Sequence, residues 1–152
     1  MYSIVLLLHS WLRWIALVAG IAATVTSFSD RPQTTGQSRA DLWGLVFMAV
    51  LDLQMLLGLL LYFVLSPFME GILSNFGAAM KSPGLRFFAV EHLALMLTAV
   101  VLAHVGRVLA RKAKTPDAKR MRTAICFGLA TFLMILGIPW PGMASGRQLF
   151  RI

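Results

Sequence analysis

Four stretches of mostly apolar residues, at about 3–28, 42–65, 85–110 and 122–138, take up most of this chain. A helix rises about 1.5 Å per residue, so roughly 20 such residues cross the ~30 Å hydrocarbon core of a bilayer. A soluble domain carries about 25% charged residues; here 59% of residues are hydrophobic and 13% charged, too little polarity to cover a water-facing surface. The expected fold is all-α, an integral membrane four-helix bundle forming one transmembrane domain over 1–152. The 152 residues leave no room for a separate soluble domain.

The breaks between stretches have local causes. Ser29 to Gly36 gathers polar residues with Pro32 and Gly36, which marks a loop. Pro67 ends the second stretch by pushing Ser66 out of the helical region. The segment of about 68–84 mixes Phe68, Met69, Ile72, Leu73 and Phe76 with Glu70, Asn75 and Lys81, a pattern suited to a short interfacial helix between helices two and three. Pro139-Trp140-Pro141-Gly142 closes the fourth stretch. Met1-Tyr2-Ser3 has no basic region before its apolar run, so the first stretch reads as a retained helix and not a cleaved leader.

The net charge of +8 comes mainly from one short connection, with Arg107, Arg111, Lys112, Lys114, Lys119, Arg120 and Arg122. That concentration speaks for topology and against nucleic acid as a partner. Lys and Arg stay on the cytoplasmic side in short loops. Adding Arg31 and Arg39 gives nine on one side, against Lys81, Arg86, Arg147 and Arg151 on the other. The expectation is N-out/C-out, multi-pass in a bacterial inner membrane, with the lipid bilayer as the first partner. The single cysteine, Cys126, leaves no disulfide or cysteine cluster within one chain.

Ionisable residues inside apolar helices cost about 2.5–3.5 kcal/mol each on insertion scales and tend to mark function. Here they are His9, Arg13, Asp52, Glu91, His92 and His104, with Gln54 beside them. His9 lies six residues below Ser3, and His92 seven below Leu85, so the two reach similar depth from one end. At 100° per residue, Arg13, Ala16, Gly20 and Ala23 share the face of His9, and Met96, Ala99, Ala103 and Gly106 share that of His92. Two imidazoles at one level on facing helices are a donor set for haem b, gripping its iron from both sides. Arg13, Arg86 and Arg147 are candidates to hold its carboxylates.

Plainer readings stand beside this one. His9 with Trp11, Arg13 and Trp14 also suits an interfacial anchor, and His92 a packing role against Glu91 or a carbonyl. His104 lies about 120° round its helix from His92 and ~18 Å along it, with no fourth histidine to pair with. Asp52 or Gln54 could reach it, as polar glue or as part of a proton or quinone site.

His9-Ser10-Trp11-Leu12-Arg13-Trp14, Glu91-His92 and Ile138-Pro139-Trp140-Pro141 together resemble a group of small bacterial four-helix membrane proteins described as cytochrome b-like. The resemblance covers the whole chain and implies haem b and membrane electron transfer, with His9 and His92 as ligands. The expected function is therefore a membrane b-type cytochrome with one bis-histidine haem in the outer half of the bilayer. A quinone or redox protein would be its partner, in a larger oxidoreductase complex or a homodimer. The alternatives are a small proton-coupled transporter or channel using Arg13, Asp52, Glu91 and His104, and a cofactor-free structural or assembly subunit.

Overall fold

The computed structural model describes residues 1–29 and 38–150. Arg31 and most of the predicted first loop, together with Arg151, lie outside the described residues. Six helices follow in order: α1 (Tyr2–Ser29), α2 (Arg39–Leu65), α3 (Pro67–Ser74), α4 (Phe76–Ala79), α5 (Pro83–Arg111) and α6 (Pro116–Leu136). α2 ends in one π turn over Leu61–Leu65, and α5 contains another over Phe87–Glu91.

Short polar side chains set where these helices begin. Ser38, Ser66, Asn75 and Thr115 each accept a hydrogen bond from the backbone N–H three residues on, at 3.1, 3.3, 3.4 and 3.2 Å. Each satisfies one of the donors a helix start leaves open. Pro67, Pro83 and Pro116 occupy first-turn positions, where the missing N–H costs nothing. The interfacial segment expected as one short helix is thus two, α3 and α4, divided at Asn75 and followed by the first turn of α5.

The interior is made of small residues. Ala16, Ala19 and Ala23 of α1, Ala99 and Ala103 of α5 and Ala130 of α6 are buried around Phe47, Leu51, Phe127 and Met134. Ile4, Val18, Val25, Leu56, Phe63, Val64 and Val101 are meanwhile more than half exposed. Large apolar side chains outside and alanines inside reverse the order of a soluble core, and suit helices that pack closely within lipid. Among the described residues three helices, α1, α2 and α5, are long and apolar enough to cross a membrane. The chain is a multi-spanning membrane protein.

The expected four-helix membrane bundle needs correction on this point. α6 is long, but Asp117, Lys119, Arg120 and Arg122 occupy its first two turns. The apolar remainder, Thr123 to Leu136, covers only about 21 Å at 1.5 Å per residue, short of the hydrocarbon core. With three qualifying spans, not four, the N-out/C-out orientation no longer follows. The basic residues have a structural task at this end. Lys119 Nζ donates to Asp41 Oδ2 at 2.7 Å, Arg107 donates to the Asp41 carbonyl at 3.4 Å, and Arg120 donates to the carbonyls of Ser27 and Phe28. Arg120 caps the last turn of α1, where carbonyls lack helical partners, while Lys119 and Arg107 hold the first turn of α2 through Asp41.

α1 packs mainly on α2 and α6, and α5 mainly on α6 and more lightly on α2. α1 and α5 therefore face one another diagonally. The gap between them is filled by alanines through the middle and stays open where the start of α1, the end of α2, the start of α5 and the end of α6 meet.

Candidate functional site: a two-histidine cavity

A cavity of about 230 Å³ occupies that open end. Its walls are mainly apolar, with Leu61, Met69, Phe88, Met96, Met134 and Ile138 among them. Two histidines and two arginines are among its polar lining, His9 and Arg13 from α1, His92 from α5 and Arg147 from the tail after α6.

The His9 and His92 rings face each other across the diagonal, with centres 6.4 Å apart and planes at 70°. They are held differently. His92 Nδ1 lies 2.7 Å from the Gly137 carbonyl at the end of α6, which makes Nδ1 the protonated nitrogen and leaves Nε2 with a lone pair. Gln54 donates from Nε2 to the His9 carbonyl at 2.9 Å, and the same nitrogen lies 3.3 Å from His9 Nε2. His9 Nδ1 and Gln54 Oε1 are buried without a hydrogen-bond partner, a costly condition for polar atoms. Gly58 passes beside the His9 ring: a Cβ there would stand 3.2 Å from Cε1.

The arginines divide. Arg13 lines the cavity, donates to the Leu149 carbonyl at 2.7 Å and lies 5.0 Å from the Trp14 ring centre. Arg147 also lines it, its guanidinium 4.8 Å from the Phe68 ring centre and 5.2 Å from that of Phe88. Arg86 does not reach the cavity; it pairs with Glu91 at 2.7 Å, both about half exposed. The tail folds over this end, with Phe150 stacked on Trp14 at 5.3 Å. Both π turns border the cavity, through Leu61 and Tyr62 of one and Phe88 of the other, and the Tyr62 hydroxyl donates to the Ala89 carbonyl at 2.7 Å to tie them together. Such turns re-aim the residues that follow, and His92 is the residue directly after the second.

Gln54, Gly58, Tyr62 and Gly137 belong to the site without having been singled out for it by sequence. Gln54 carried a legible signal: it stands two residues from Asp52, about 200° round the helix, so the two cannot share a face. Asp52 instead meets His104, Oδ2 to Nε2 at 3.5 Å, on the outer surface.

No family model, curated protein or solved structure matches the chain. Among the described residues there is also no group of three or more His, Cys, Asp or Glu side chains that could hold a metal ion. No comparison supports the cytochrome b-like resemblance as a family assignment, and three qualifying spans among the described residues replace the four-helix membrane bundle it implied. What the residues can hold rests on the cavity alone.

Proposed function

We propose that the chain is a membrane-embedded electron carrier whose cavity takes one haem b between His9 and His92. The observation that carries this reading is the separation of the two rings. Histidine nitrogens sit about 2 Å from a bound metal ion and ring centres about 1 Å behind them, so a shared ion places the centres about 6 Å apart; the observed value is 6.4 Å. Gly58 leaves space beside the His9 ring, where a Cβ would stand 3.2 Å from Cε1, and that space fits the same occupant.

The chain's own residues would do four things. His92 is fixed in tautomer and direction by the Gly137 carbonyl, the usual arrangement behind a ligating histidine. Gln54 pins the α1 backbone at His9. Arg13 and Arg147 offer guanidinium groups to two carboxylates, and the Met, Leu and Phe walls exclude water. When bound, the cofactor supplies one-electron oxidation and reduction. A quinone or a redox protein in a larger membrane complex is the matching partner class.

A second reading has an observation of its own. His92 already has the Gly137 carbonyl and His9 already has Gln54 beside it, so both can act as polar glue between helices in a cofactor-free structural or assembly subunit. Haem content separates the two. Protein purified after expression with ample haem is expected to carry one haem per chain; colourless, well-folded protein would sink the first reading and leave the second.

A further inference from the structure

Asp52 and His104 lie within membrane-spanning helices but face outward. Their side chains are 49% and 45% exposed, and neither lines the cavity. Asp52 stands in the middle of α2, ~20 Å from its start at Arg39. His104 is level with it, because the two touch at 3.5 Å. His104 Nδ1 lies 3.0 Å from the Val100 carbonyl of its own helix, leaving Nε2 as the nitrogen that faces Asp52 along the exposed side of the pair. Ionisable side chains at such depth almost always face protein or water, because hydrocarbon solvates them poorly. A half-exposed pair at this level needs a cover.

The surroundings indicate what kind. Leu45 and Leu56 flank Asp52 on α2, and Leu97, Val101 and Val108 flank His104 on α5, all exposed and three, four or seven residues away on the same helix face. Among neighbouring long helices, α2 and α5 touch least, so the two stripes border a shallow seam with an acid on one side and a base on the other. A partner that brings a base opposite the acid and an acid opposite the base, at one depth in the membrane, is complementary to this seam. This chain carries that set itself. A twofold axis along the membrane normal preserves depth and exchanges the two sides of the seam.

We propose that the α2/α5 face is a homodimer interface in which Asp52 of each copy meets His104 of the other. The contact is isologous, the commonest form of self-association, and it holds whether or not the cavity takes a cofactor.

The test uses full-length chains carrying two different tags, reconstituted in bilayer nanodiscs. Wild-type copies are expected to co-purify. Asp52→His alone and His104→Asp alone should each weaken self-association about tenfold, since polar pairs between membrane helices are individually modest. Co-expressing the two variants should restore pairing, because each supplies the charge the other lacks. Independently of those variants, Val101→Cys in a Cys126→Ser background should cross-link to itself in native membranes, and Val18→Cys on the outer face of α1 should not. Monomeric wild type in bilayers, a variant mixture no better than its components, equal cross-linking at Val18, or wild type that pairs only with a different protein would each overturn the proposal.

Discussion

Replacing Phe127 by alanine tests whether the interior is packed as a membrane protein's interior should be. Phe127 is 1% exposed and meets Phe47 edge to face with ring centres 5.6 Å apart. Gly44 makes room for it, since a Cβ at that position would lie 2.6 Å from Cε2. Phe127→Ala removes about 100 Å³ from a place that cannot readily close, and at about 24 cal/mol per Å³ of cavity that costs about 2.4 kcal/mol. Losing the aromatic pair adds about 0.5–1 kcal/mol. In a soluble core the transfer of the ring to water would raise the total to about 3–5 kcal/mol. Here that contribution falls away, because lipid tails receive an apolar side chain as readily as the protein does. The expected loss is about 3 kcal/mol, read from unfolding in mixed micelles of mild detergent and dodecyl sulfate. Val18→Ala, at a side chain 60% exposed on α1, should cost under about 0.5 kcal/mol in the same assay. Equal losses at the two sites, or a loss at Phe127 below about 1 kcal/mol, would refute this account of the packing.

Other outcomes follow from the site and its supports. Gly58→Val should displace the His9 ring and lower haem content at least about tenfold while changing melting temperature little, because the cavity beside the ring can accept the new methyl groups; unchanged haem content would contradict the fit at Gly58. Gln54→Leu should leave stability within about 1 kcal/mol, since the hydrogen bonds lost are offset by removing a buried unpartnered oxygen. If haem content and redox potential are also unchanged, Gln54 does not position His9. Cys126, buried against Gly106, should react with maleimide at least about tenfold more slowly in folded protein than after unfolding; fast labelling of the folded chain would contradict its burial.

Much of this fold is written in the hydropathy pattern, because a helix in lipid must be apolar all round. The first three spans were legible within a few residues at each end for that reason. The fourth was misread because the apolar run at 122–138 was taken without the charged turns before it, which the Thr115 cap and Pro116 make part of the same helix. Those charges bind the ends of α1 and α2, a use that depends on tertiary contacts and leaves no periodic trace. The pairing of His9 with His92 was legible by counting depth and face along two helices. The π turns were not, since a single wide turn changes no residue pattern. Arg86 is a candidate in the sequence as a cation near the outer surface; in the fold it stands outside the cavity, paired with Glu91, a contact that spacing alone does not reveal.

The central claim is that His9 and His92 share one ligand. The most direct measurement is the reduced-minus-oxidised absorption spectrum of detergent-purified wild type, His9→Ala and His92→Ala, expressed with ample haem and each shown to be folded. The account predicts a b-type difference spectrum in the wild type that is lost or changed to a high-spin form in both variants. A wild-type signal that survives unchanged in either variant, or no signal in the folded wild type, would contradict it.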